Sequence, residues 1–86
     1  MLFVDVMEFD VAKRLFIFLQ KVTLASVPVA NDKLILTVEG EEIIFKVYDV
    51  HYTVNSDAPK VNAIRISTLN DYYASGFQDI AYYVRG

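Results

Sequence analysis

The single histidine of the chain lies in a stretch whose residue types could do chemistry. Asp49, His51 and Thr53 occupy alternate positions of DVHYT. On a β-strand, alternate side chains point to the same face, so the carboxylate and the imidazole would lie side by side. Both groups can bind zinc, but a zinc site takes three or four ligands. Asp49 and His51 are therefore weak candidates for a metal site, and we expect them to form the solvent face of a strand without a metal.

A hydrolytic set can also be assembled around the histidine, from Ser56 or Ser67, His51 and Asp57. Nucleophilic catalysis needs a serine on a sharp turn and an oxyanion loop, both of which depend on nearby glycine. Neither serine has a glycine beside it. The sequence therefore predicts no catalytic residue, and a metal-dependent or hydrolytic site around His51 is the third of three functional hypotheses.

Carboxylates come close together at two places, Glu39, Glu41 and Glu42 in EGEE and Asp5 and Glu8 in DVMEFD. A glycosidase holds two carboxylates across a cleft, and a chain of 86 residues has little room for one. The three glycines are too far apart to form a phosphate-binding loop. We expect no cofactor.

Four tyrosines lie near the end of the sequence, as Tyr72-Tyr73 and Tyr82-Tyr83. Neighbours on a strand point to opposite faces, so each pair offers one ring to the core and one to the outside. Stacking on single-stranded nucleic acid needs a positive groove, and only Arg85 is near these rings. Tyrosine is enriched at protein interfaces. The pattern predicts an interface, with ordinary packing as the alternative.

The composition favours a domain that associates. Eighty-six residues make one domain, 1–86, and 55% of them are apolar, which exceeds the usual fraction. A small domain cannot hide that much apolar surface alone. The formal charge is −3 and the basic residues are dispersed, which disfavours nucleic acid. We expect a non-enzymatic structural or protein-interaction module that binds itself, another protein or both; a small nucleic-acid-binding β-barrel is the second hypothesis.

The predicted location is the cytoplasm, with no membrane partner. The chain has no cysteine, which fits a reducing compartment. The first residues, MLFVDVMEFD, lack the basic start of a signal peptide, and Asp5 and Glu8 interrupt their apolar run. The longest unbroken apolar run is Leu15 to Leu19, far short of the ~20 residues that span a bilayer.

The middle of the chain predicts three strands. KLILTV and EEIIFKVYDVHYTV flank Gly40, which can take the left-handed conformation of a hairpin turn. The apolar phase changes after Val47, which indicates a bulge near Tyr48-Asp49, and VNAIRIST forms the third strand. The predicted core comprises Leu34, Leu36, Ile43, Phe45, Val47, Val50, Ile64 and Ile66.

Both ends are ambiguous between helix and strand. Residues 10–22 carry a helical stripe, but RLFIFL also alternates, and DVAK is a suitable turn after LFVDVMEF. Residues 77–84 suit either state. We predict a mainly β fold, a small curled antiparallel meander or an open five- to six-stranded barrel. The alternative is α+β, with helix 10–22 packed on a three- to four-stranded antiparallel sheet. The stretch VPVANDKLIL…VYDV is similar to many small bacterial and phage β modules, a likeness that assigns no chemistry to any residue.

Overall fold

Five strands form one curled sheet with the shape of a half-barrel. The computed structural model describes residues 2–55 and 58–74. The order across the sheet is β2-β1-β5-β4-β3, and a short helix at residues 69–74 follows β5. The strands are β1 (Leu2–Asp10), β2 (Leu15–Leu24), β3 (Lys33–Val38), β4 (Glu41–His51) and β5 (Lys60–Thr68). The predicted mainly β fold is confirmed.

The sheet differs from a simple antiparallel meander in one pairing, because β1 and β5 run parallel. β1 pairs with β2, and β4 pairs with both β3 and β5, in antiparallel fashion. These directions place the β1–β2 turn and the β3–β4 turn at the same end of the sheet. We call this the turn end.

The segment at residues 10–22 is a turn and a strand, so the alternative helix is wrong. Residues 11–14 form the turn that joins β1 to β2. Asp10 stabilises it, since its carboxylate Oδ1 accepts the Lys13 N–H at 3.0 Å and its carbonyl accepts the Arg14 N–H at 2.8 Å. β2 then forms nine residue pairs with β1, so this segment follows the strand alternation of its side chains and not the helical stripe. Residues 77–84 lie outside the described part of the chain.

The hairpin details predicted for the middle of the chain are confirmed. Gly40 has a φ of +83°, the left-handed region that glycine adopts without strain. The β4–β5 register shifts between Val47 and Asp49, so Tyr48 is the extra residue of a bulge. This bulge keeps Val50 on the side of the core and turns Asp49 to the opposite side. β4 ends at His51, so Thr53 does not share its strand.

The core lies on the concave, inner face of the sheet. Four of the eight predicted core residues are buried, and Leu34 and Val50 pack against the core partly buried. Ile64 and Ile66, however, are 40% and 43% exposed, so that part of the prediction is wrong. On β5 the side chains that point to the inner face are those of Val61, Ala63 and Arg65, which alternate with Ile64. The inner cluster consists of Val4, Val6, Leu36, Ile43, Phe45, Val47, Val61 and Ala63.

Candidate interaction surface

The face of the sheet opposite the core, the outer face, carries a band of large apolar side chains. Strand alternation and register assign its members, since Met7 pairs with Phe18 and Phe9 pairs with Phe16. Phe18 is 58% exposed and Tyr48 is 59% exposed, so no described element covers them. We call this band the outer stripe; it comprises Met7, Phe9, Phe16, Phe18, Tyr48 and Ile64.

The rings of the outer stripe are ordered against one another. Phe9 and Phe16 meet edge to face, with centroids 5.2 Å apart at 62°. Phe16 stacks on Tyr48 with centroids 6.0 Å apart, although their strands are at opposite sides of β1 and β5. With Ile64 these rings line an apolar cleft of about 300 Å³. A preformed aromatic surface loses little side-chain entropy on binding.

An apolar outer face is unusual for a small domain of this kind. Sheets with hairpin connections commonly pack one face on the core and leave the other polar and solvated. Here β1 places Val4 and Val6 in the core and presents Met7 and Phe9 on the outer face. Sequence reasoning missed this surface. Its signal was that both phases of the strand are apolar, which is typical of a strand covered on two sides.

Asp49 and His51 lie on the outer face and form a small polar cluster with Asn62. His51 Nε2 is 3.2 Å from Asp49 Oδ2, and the Asn62 amide donates to Asp49 Oδ1 at 2.8 Å. Asn62 is buried, at 6% exposure, so this bond satisfies an amide that has left water. The His51 side chain is 60% exposed, which confirms that it is a surface residue. Within residues 2–55 and 58–74, no three His, Asp or Glu side chains gather as a metal site would require.

The hydrolytic set is not brought together in the part that the structure describes. Ser67 pairs with Ile44 and His51 pairs with Lys60, at opposite ends of β4. At roughly 3.3 Å per residue, the two side chains are about 20 Å apart. Ser67 Oγ donates to the neighbouring Thr68 carbonyl at 2.9 Å. Ser56 and Asp57 lie outside the described residues.

The carboxylates of Asp5 and Glu8 face opposite sides of β1, so they form no catalytic pair. Asp5 lies on the outer face, 3.0 Å from Lys21 Nζ. Glu8 lies on the inner face and accepts two hydrogen bonds from Arg65, at 2.7 and 3.0 Å. These bonds raise the pKa of the Arg65 guanidinium, against its partial burial. The guanidinium lies 5.5 Å from the ring centroid of Phe45 and thereby covers the core near the turn end.

Of the four tyrosines predicted to form an interface, two lie within the described residues. Tyr72 and Tyr73 belong to the helix at residues 69–74, with ring centroids 6.2 Å apart. Tyr73 is 52% exposed, whereas Tyr72 is partly buried. Tyr82 and Tyr83 lie outside the described residues. The role of these rings in an interface stays a prediction.

Comparison with known proteins adds no assignment to this geometry. No family model, curated protein or solved structure matches the chain. Within residues 2–55 and 58–74, no helix is both long and apolar enough to cross a membrane.

Proposed function

We propose that the protein is a non-enzymatic structural module that associates with itself through the outer face of its sheet. The observation that carries this proposal is the exposure of Phe18 and Tyr48 beside a preformed cluster of rings. Two copies that pack their outer faces together would cover the outer stripes of both, so that each copy supplies the second layer that the other lacks.

The exposed area fits a second copy as the partner. Besides Phe18 and Tyr48, the outer face exposes 62% of Phe3 and 40% of Ile64. Since an aromatic side chain buries roughly 150–250 Å², these residues and their neighbours offer about 600 Å² per copy. Two copies would then bury about 1,200 Å², the lower limit for a specific interface. We further propose a cytoplasmic location, in keeping with the absence of cysteine.

Light scattering over a concentration series tests the proposal. The variant combines Phe18→Ser with Tyr48→Ser. We expect its dissociation constant for self-association to be at least tenfold higher than that of the wild type. Ile17→Ser is the matched control, because Ile17 is 39% exposed on β2 next to Phe18 but points to the inner face. A wild type that is monomeric up to about 1 mM, or a double variant that associates as tightly, would refute the proposal.

A single-stranded nucleic acid is the second candidate partner, and one observation favours it. Three lysines flank the outer stripe, since Lys33 pairs with Lys46, Lys46 with Ile64, and Lys60 with His51. Exposed rings beside positive charges are what proteins use to bind single strands. The overall charge of −3 opposes such binding.

Fluorescence anisotropy with a labelled thymidine 20-mer separates the two functions. Binding that falls steeply between about 50 and 200 mM salt, and that Lys46→Gln with Lys60→Gln abolishes, would favour nucleic acid. Self-association through the stripe predicts no binding of the oligonucleotide.

A further inference from the structure

The half-barrel leaves two strand edges without a partner among the described residues. β2 pairs with β1 alone and β3 pairs with β4 alone, so they are the two ends of the sheet order. An unpaired edge presents backbone N–H and C=O groups that can pair with another strand. The proline, bulge or charge that usually protects an edge is missing from Ile35–Val38, the second half of β3.

The directions of the two edges suit each other. β2 runs opposite to β3, and the β1–β2 turn and the β3–β4 turn both lie at the turn end. β2 of one copy placed beside β3 of another would therefore run antiparallel to it, with both copies in the same orientation. Such a contact joins two different surfaces, so it continues from copy to copy as a chain or closes as a ring.

The charges of the two turns are complementary in this arrangement. The β1–β2 turn exposes Lys13 and Arg14, while the carboxylate of Asp10 accepts a backbone N–H within that turn. The β3–β4 turn and the start of β4 expose Glu39, Glu41 and Glu42. Antiparallel pairing of β2 with β3 brings the basic turn of one copy beside the acidic turn of the next.

Two features limit the contact between copies to the half of each edge strand that lies at the turn end. The register of β2 shifts between its pairs with Val6 and Met7, which isolates Leu19 and bends the strand there. At the opposite end, Leu24, Pro28 and Leu34 of the same chain line a common cleft. Among the residues that the structure describes, the regular segments without a strand partner are therefore Leu15–Phe18 and Ile35–Val38, both at the turn end.

We propose that copies of this protein pair head to tail, with Leu15–Phe18 of one copy beside Ile35–Val38 of the next and with the charged turns in contact. This contact extends the sheet sideways through backbone hydrogen bonds. The outer-face contact instead stacks a second copy on the face of the sheet, so the two contacts use different directions. It can therefore hold whether or not the outer stripe mediates self-association.

A charge exchange tests the proposal in a parent that carries Phe3→Ser and Tyr48→Ser, which weakens the outer-face contact at two exposed residues that lie outside both edge segments. The basic-turn variant adds Lys13→Glu and Arg14→Glu, and the acidic-turn variant adds Glu39→Lys and Glu41→Lys. Sedimentation velocity should show concentration-dependent association of the parent, and each variant alone should associate at least tenfold more weakly. An equimolar mixture should recover association, because each turn then meets the opposite charge on the other variant.

Circular dichroism confirms that each variant is folded before the comparison. The proposal fails if the parent stays monomeric up to about 1 mM, if either variant associates like the parent, or if the mixture of folded variants does not recover. Charge reversals that lower the melting temperature without changing association would show instead that the two edges close on each other within one copy.

Discussion

Removal of the Phe45 ring should cost the protein a large part of its stability. Phe45 is fully buried at the centre of the inner cluster, and alanine at such a position typically costs about 3–5 kcal/mol. The substitution also removes the ring beneath the Arg65 guanidinium, a contact of about 0.5–1 kcal/mol. At ~0.05–0.15 kcal/mol per residue, the whole chain has only about 4–13 kcal/mol of stability.

Two further variants keep this prediction measurable if Phe45→Ala does not fold. Phe45→Leu retains most of the apolar volume and should cost about 1–2 kcal/mol. Ile64→Ala is the matched control on the neighbouring strand, where Lys46 and Ile64 form the pair next to Phe45 and Arg65. Ile64 is 40% exposed on the outer face, so its truncation should cost only about 1 kcal/mol.

Urea unfolding followed by circular dichroism provides the assay, at a protein concentration below any self-association. The free energy of unfolding comes from linear extrapolation to zero urea. If Ile64→Ala destabilised the protein more than Phe45→Leu, or if Phe45→Ala cost less than about 1 kcal/mol, the assignment of inner and outer faces would be wrong.

Three other predictions concern single sites. Gly40→Val should lower the free energy of unfolding by at least ~1 kcal/mol, because a β-branched residue is strained at a φ of +83°. Gly40→Asn should be nearly neutral, because asparagine tolerates the left-handed region and an added Cβ meets nothing within 4 Å. Equal effects of the two substitutions in thermal melts would contradict this. His51→Ala should change the free energy of unfolding by less than ~0.5 kcal/mol, because its side chain is 60% exposed. If zinc raised the melting temperature of the wild type but not that of the variant, His51 would belong to a metal site. Tyr73→Ser combined with Tyr83→Ser should weaken self-association in light scattering, as the 52% exposure of Tyr73 permits, and unchanged association would leave plain packing as the role of these rings.

The features that the sequence predicted correctly are those that depend on neighbouring residues. The alternation of β3, the positive φ of Gly40 and the bulge at Tyr48 each follow from a local pattern of side chains. The strand assignment of β2 depended on the aromatic and β-branched residues around Ile17, which favour a pleated surface.

The errors arose where distant segments decide between two equally apolar choices. Both phases of VNAIRIST contain apolar residues, and the larger ones, Ile64 and Ile66, were predicted to be buried. Instead Ala63 pairs with Val47 on the inner face, beside the fully buried Phe45. The inner face of a strongly curved sheet has limited room, so a small residue fits there better than an isoleucine. Arg65, the next inner residue, pairs with Phe45, and Glu8 on β1 accepts two hydrogen bonds from its guanidinium.

The parallel pairing of β1 with β5 connects these errors to the proposed function. It places Phe9 of β1 beside Ile64 of β5 and thereby gathers residues that are far apart in the sequence into one stripe. The isoleucines expected in the core thus account for part of the apolar surface on the outside. The 55% apolar composition indicated such an excess without its location. Because the excess lies on one face and the complementary charges lie at the two edges, substitutions at the stripe and at the turns should affect self-association independently.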